Sequence, residues 1–137
     1  MEKVTVFTDG GARGNPGPSA IGVVFYDVKN ALMSELSECI GDATNNVAEY
    51  QAIVRALEHL ATLVNDTKGV DVTLKLDSQL VQRQMLGEYK VKDATLKTYF
   101  DTAKTLVSEY NRVDFIHVPR AENKEADRLV NEALDAM

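Results

Sequence analysis

The sequence predicts an α/β fold in which three strands form an antiparallel meander before helices and strands alternate. Three observations predict it. First, β-branched and aromatic residues cluster at Val4–Phe7 and Ala20–Val28, and Ala31–Ile40 sets Leu32, Leu36 and Ile40 among polar residues, the three runs separated by a Gly/Pro-rich stretch and by Lys29-Asn30. Second, the apolar spacing changes at Thr44 to three and four residues and holds that period to Val64. Third, two more strand patterns, Val70–Leu76 and Val113–Val118, follow, each with a helical pattern after it.

The first strand runs into Thr8–Pro18 (TDGGARGNPGP), whose four glycines and two prolines turn the chain and let a ligand approach the backbone. Thr44 is a natural N-cap for the long helix. Val47, Tyr50, Val54, Leu57, Ala61 and Val64 mark one apolar face, and Ala48, Ala52, Ile53, Ala56 and Leu60 a second. A helix apolar on two faces lies centrally across a sheet. Val70–Leu76 alternates as a strand and stops at Asp77, and Ser78–Leu86 reads as a short helix ended by Gly87. Glu88–Ala94 is a polar connection. Thr95–Tyr110 is an amphipathic helix whose Leu96, Tyr99, Phe100, Ala103, Leu106, Val107 and Tyr110 share a face, and that spacing reads as core rather than as a stacking platform. After Asn111-Arg112 comes the last strand, ended by Pro119. Ala121–Ala136 is the final helix, packed through Ala126, Leu129, Val130, Ala133 and Leu134.

The bulk numbers bound the function. The chain has 137 residues, which suits one domain over 1–137 with one sizeable core. No run approaches the roughly 18 apolar residues of a membrane span, and no segment reads as a signal peptide. The single cysteine, Cys39, excludes an internal disulfide and fits a reducing, cytoplasmic setting. With no histidine near it in sequence, it reads as inert. His59 and His117 lack a second histidine or cysteine at metal-ligand spacing and read as structural or exposed. The net charge of −6 argues against coating nucleic acid by charge alone, though not against a metal enzyme acting on it. Residues 83–104 carry a local charge of +2, a small basic island on an acidic chain.

Four carboxylates stand in costly places. Asp9 ends the first strand pattern and Asp77 the fourth. Two parallel neighbours ending this way would put both at the carboxyl edge of one sheet, where α/β folds bind ligands. Glu49 lies in the first turn of the long helix, and Asp127 is in line with Val130 and Leu134. Oxygen-only donors suit hard cations, Mg²⁺ or Mn²⁺, rather than zinc. Two such ions roughly 3.5–4 Å apart are the arrangement that cleaves phosphodiesters. The residues alone leave other readings open: Asp9 can cap a turn, and Glu49 can complement the helix dipole.

Four segments together go further: TDGGARGNPGP at 8–18, ATNNVAEYQAI at 43–53, LDSQLV at 76–81 and ENKEADRLVN at 122–131. In this order and at these separations the chain resembles the type 1 ribonucleases H over its whole length. The resemblance implies the ribonuclease H-like fold, a five-stranded mixed sheet of order 3-2-1-4-5 flanked by about four helices. It implies an endoribonuclease that hydrolyses the RNA strand of RNA–DNA hybrids with two metal ions, leaving 5′-phosphate and 3′-hydroxyl ends. Asp9 then matches the carboxylate bridging both ions, Asp127 a ligand of the ion that holds the attacking water, and Glu49 and Asp77 ligands of the other. Asn15, Asn45 and Gln79 match contacts to the hybrid's minor groove, Thr44 and Asn45 a phosphate-contacting pair, and Gly10 a substrate-side backbone position. Mg²⁺ is the implied cofactor, with Mn²⁺ as substitute. The implied partner is an RNA–DNA hybrid met by a monomer, with double-stranded RNA as a further substrate class.

The chain also departs from the family's commoner pattern. Many bacterial relatives carry an extra helix with a basic loop after the short helix. Only Gly87–Ala94 is available here, with Lys90, Lys92 and Lys97 as partial compensation. The mobile histidine that often precedes the last carboxylate is replaced at or near its position by Arg120, as in an archaeal-like subgroup. Arginine can contact phosphate but cannot relay a proton near neutral pH. Asp42 and Ala43 stand where some relatives have a basic or hydroxyl phosphate contact, which predicts a weaker pocket for the DNA strand.

Overall fold

The computed structural model describes residues 2–137. Five strands form one sheet of order β3-β2-β1-β4-β5. They are β1 (Glu2–Ala12), β2 (Gly17–Tyr26), β3 (Leu32–Ala43), β4 (Val70–Leu76) and β5 (Arg112–His117). β1, β2 and β3 pair antiparallel, as the meander predicts, while β4 and β5 extend the sheet from β1 in parallel. Helices α1 (Asn45–Leu63), α2 (Gln79–Met85), α3 (Ala94–Val107) and α4 (Lys124–Asp135) complete the fold.

The strand alternation decides which helix covers which face. Val4 and Val6 of β1, with Ile21, Val23 and Phe25 of β2, point to one side and form the main core with α1. α1 is buried on both predicted faces, from Val47 to Leu60, because it lies between the sheet and α3. Tyr50 meets Phe100 edge-on, with ring centroids 6.5 Å apart, and the Gln51 amide donates to the Tyr99 hydroxyl at 3.2 Å. The aromatics of α3 thus pack on α1. On the opposite face α4 lays Val130, Ala133 and Leu134 against Ala20 of β2.

Three boundaries differ most from the sequence reading. β1 does not stop at Asp9 but continues through Gly10, Gly11 and Ala12, because β2 pairs with it all the way from Thr5↔Tyr26 to Ala12↔Ser19. Only Arg13–Pro16 forms the turn, closed by the Arg13 N–H donating to the Pro18 carbonyl at 2.8 Å. The parallel pairing with β4 does end where expected, at Thr8↔Leu76, so Asp9 and Asp77 both follow directly. α3 ends at Val107 rather than Tyr110. Tyr110 lies beyond it, buried, with its hydroxyl donating to the Leu57 carbonyl at 2.5 Å. The final helix is also shorter than predicted. Arg120–Glu122 is a separate 3₁₀ turn before α4.

Candidate active site

The site sits where two helices touch the sheet backbone from opposite sides. A Cβ on Gly10 would lie 2.3 Å from the Ala48 carbonyl carbon and oxygen, so only glycine lets α1 come this close. A Cβ on Gly22 would lie 2.1 Å from the Ala126 carbonyl oxygen, so α4 presses equally hard on the other face. Gly22 pairs with Asp9, the neighbour of Gly10. In each case the residue after the contacting alanine is a carboxylate: Glu49 follows Ala48 and Asp127 follows Ala126. Main-chain contact therefore sets where both helices deliver their acids.

Asp9, Glu49 and Asp77 each offer an oxygen within 4.8 Å of the other two. Glu49 Oε1 accepts from the Gly10 N–H at 2.6 Å. Asp9 and Glu49 are buried, and Asp77 and Asp127 half-buried. Asp127 stands outside the tight trio but lines the same open cleft of about 360 Å³. Asn131, one turn on, donates from Nδ2 to the Asp127 carbonyl at 3.1 Å and to its carboxylate at 3.4 Å.

Like charges packed without water hold on to protons. Burial, then the Asp77 charge, push the Asp9 carboxyl up to about 7. Burial and the adjacent Asp9 push Glu49 well above the usual carboxylate range. Arg120 lines the cleft and partly offsets the charge on Asp9, and it makes no ion pair among the described residues. Arg13, also in the cleft, is tied to Asp135 at 2.5 Å. A cluster of oxygen donors this short of cations fits hard divalent ions, and no histidine or cysteine competes in the cleft.

The other predicted residues divide into two groups. Asn15, Thr44 and Asn45 come together beside the cleft. The Asn45 N–H donates to Asn15 Oδ1 at 3.0 Å, the Ala12 N–H to Asn45 Oδ1 at 2.9 Å, and the Val47 N–H to Thr44 Oγ1 at 3.2 Å. These bonds clamp the β1–β2 turn to the start of α1. They use the oxygens of both asparagines and leave their Nδ2 donors without a protein partner among the described residues. The three residues line a second open depression of about 520 Å³, with Asn45 shared between the two. Gln79, the exposed first residue of α2, lines neither. Gly10 lines the cleft beside Asp9. His117 is exposed at the end of β5, and Cys39 is exposed on β3 with its thiol donating to the Ala133 carbonyl at 3.2 Å.

Sequence reasoning missed Asn123. It is buried, and its Nδ2 donates both to the Thr8 carbonyl at 2.9 Å and to Asp77 Oδ2 at 3.1 Å. The sequence pattern puts Asn123 inside a helix running from Ala121, and nothing in composition or period marks it. Gly22 was readable. An isolated glycine in a strand pattern signals close backbone approach.

Comparison with known proteins agrees with this fold. A family model described as "Reverse transcriptase-like" matches residues 7–133. The crystal structure of RNase H1 from the halophilic archaeon Halobacterium salinarum is 41% identical, covers 98% of this chain and 99% of its own, and superposes with a TM-score of 0.93. LC11-RNase H1, solved in complex with an RNA/DNA hybrid, is 47% identical over 97% of each chain, with a TM-score of 0.88. The chain belongs to the type 1 ribonuclease H family. It shares the five-stranded mixed sheet of that family, and with it the archaeal-like form. A bifunctional protein of Mycobacterium tuberculosis is 40% identical over 98% of this chain, which spans only 36% of that relative's length. The chain spans 65% of the curated Halobacterium salinarum ribonuclease HI.

Proposed function

We propose that this ribonuclease H domain is a metal-dependent endoribonuclease that cuts the RNA strand of RNA–DNA hybrids. One observation carries the reading: three carboxylates from three different elements meet within 4.8 Å, at a point fixed by backbone contact, with a fourth in the same cleft. Nothing in the core needs that charge, and it raises the proton affinity of two of its members.

Asp9, Glu49, Asp77 and Asp127 would hold two Mg²⁺ ions, with Mn²⁺ as substitute. Such ions lower the pKa of water and stabilise charge on a departing oxygen, which suits hydrolysis to 5′-phosphate and 3′-hydroxyl ends. The chain's own residues supply position. The Gly10 N–H holds Glu49 Oε1 and so fixes that carboxylate beside Asp9. Asn15 and Asn45 are exposed, and their Nδ2 groups, without a partner among the described residues, are donors able to meet 2′-hydroxyls and base edges without selecting a sequence. The N-terminus of α1, capped by Thr44, favours a phosphate. Gln79 would reach the substrate only where the duplex passes over α2. Arg120 supplies positive charge for a phosphate and no proton relay. The hybrid held by LC11-RNase H1 supports the same substrate class here.

The test uses one end-labelled RNA strand annealed to DNA in one tube and to RNA in another. Protein is added with Mg²⁺, with Mn²⁺ or with chelator. Internal cuts that need the cation and vanish in Asp9→Asn are the expected result, and the second tube ranks double-stranded RNA. A retarded hybrid with no cleavage in either cation would leave a binding module instead.

A further inference from the structure

We infer that Asn123 is a positioning residue that fixes the Asp77 carboxylate for cation binding and locks it to the strand bearing Asp9. The inference rests on the reading of the carboxylate cluster as a cation site. Asn123 occupies the N-cap position of α4, yet its side chain makes no cap hydrogen bond. An asparagine there ordinarily accepts from its own helix. This one turns away from α4 and spends both amide hydrogens on the sheet edge: one on the carbonyl of Thr8, which precedes Asp9, the other on Asp77 Oδ2. Its main-chain carbonyl accepts from the Asp127 N–H at 3.1 Å. A single residue therefore touches three of the four segments that carry the acids.

The chemistry narrows the side chain to asparagine. The group must be neutral, short, and a double donor to two acceptors on different elements. Aspartate has no donor and would add a charge beside Asp77. Serine has one donor, and glutamine is a methylene too long for a position only 1% exposed. Asn123 Oδ1 is buried with no partner among the described residues. Leaving an acceptor unpaired is costly, so the position is not tuned for stability through that oxygen, while both donors are used. With Oδ2 held, the Asp77 carboxylate cannot rotate freely, and its other oxygen is left for a cation.

The bland alternative is a staple that joins the 3₁₀ turn to β1 and supports only the fold. Two readouts separate them. Mn²⁺ binding is measured by calorimetry and melting temperature in chelator, for Asn123→Ala and the milder Asn123→Ser, each alone and combined with Asp77→Ala. The positioning role predicts weaker Mn²⁺ binding by about 10-fold or more in Asn123→Ala, in the range for partners of metal ligands, and an intermediate loss in Asn123→Ser. It also predicts that Asn123→Ala weakens Mn²⁺ binding no further once Asp77 is alanine, although it still lowers the melting temperature. On hybrid, kcat falls and KM changes little. Unchanged Mn²⁺ affinity in both Asn123 variants, or the same fold-loss with and without Asp77, would leave only the staple. A wild type that binds no Mn²⁺, or whose binding ignores Asp77→Ala, would overturn the cation-site reading itself and the inference with it.

Discussion

Asp9→Asn should stabilise the metal-free protein while abolishing its activity. In the folded chain Asp9 is 8% exposed, and its carboxyl is pushed from 3.8 to about 7 by burial and by Asp77. A raised carboxylate pKa means that the folded state holds the proton more tightly than the unfolded one. Its contribution is therefore most favourable below about pH 4, erodes as pH rises towards 7, and stays at its worst above that. At about 1.4 kcal/mol for each tenfold change in proton affinity, the full cost of ionising Asp9 at pH 8 is on the order of 4 kcal/mol. For a domain of this size that corresponds to roughly 12–15 °C in melting temperature. Asparagine is never charged and keeps the shape, though it must find its own hydrogen bonds, so a rise of at least roughly 5 °C is expected after that loss.

The assay is a set of thermal melts in chelator at pH 5, 6, 7 and 8, wild type beside Asp9→Asn. The variant should melt higher at pH 8. The gap should shrink by more than half at pH 5, where the ionisation cost is only about 1.6 kcal/mol. Saturating Mg²⁺ should reverse the order, because a cation stabilises only a site that binds it. A variant that melts at or below wild type at pH 8 in chelator would refute the reasoning. It would mean that the four acids are not in conflict when no cation is bound.

Further expectations follow from the same geometry. Added Mg²⁺ should raise the wild-type melting temperature more at pH 8 than at pH 5, since protons compete for Asp9 at the lower pH; an equal shift at both would place the cation elsewhere. Gly22→Ala puts a methyl 2.1 Å from the Ala126 carbonyl and should cost about 1–3 kcal/mol by chemical denaturation, with cleavage falling because Asp127 moves with α4; Gly69→Ala, which meets nothing within 4 Å, is the control and should be near neutral. Tyr50→Phe removes the donor to Gln84 Oε1, a 2.7 Å bond inside the core, and should cost about 1–3 kcal/mol in urea while kcat on hybrid holds. A Tyr50→Phe protein with unchanged urea midpoint would show that the bond contributes nothing.

The sequence made most of the fold readable because its strands and helices have unmixed periods. Val70–Leu76 alternates strictly and is a strand over those same residues. Thr44 is the N-cap that its residue type suggested. The errors come from rules that were right locally and lost to tertiary contact. Gly10 and Gly11 read as turn residues, yet β2 supplies a pairing partner for each, and Gly10 serves to admit α1. Tyr110 continues the apolar period of α3 by one step, but its hydroxyl is held by the Leu57 carbonyl outside the helix. Asp9, Glu49, Asp77 and Asp127 stood out because each put a charge where burial was expected. Asn123 did not, because its two bonds reach 115 and 46 residues back along the chain, beyond any local pattern.

The two glycine contacts explain how so unfavourable a cluster survives in a chain of ordinary composition. Had Glu49 and Asp127 been aimed by long, mobile side chains alone, repulsion would swing them apart into water. Instead the repulsion is resisted by main-chain packing, Gly10 on Ala48 and Gly22 on Ala126, backed by the core on one face and by Val130, Ala133 and Leu134 on the other. Close-packed interiors yield little to strain, so the acids stay together, and Asp9 and Glu49 hold their protons more tightly instead of moving apart. That makes the cluster costly without a cation, and relief of the same repulsion would be read out as cation affinity. A substitution that loosens either helix should therefore lower cation affinity while leaving all four acids in place.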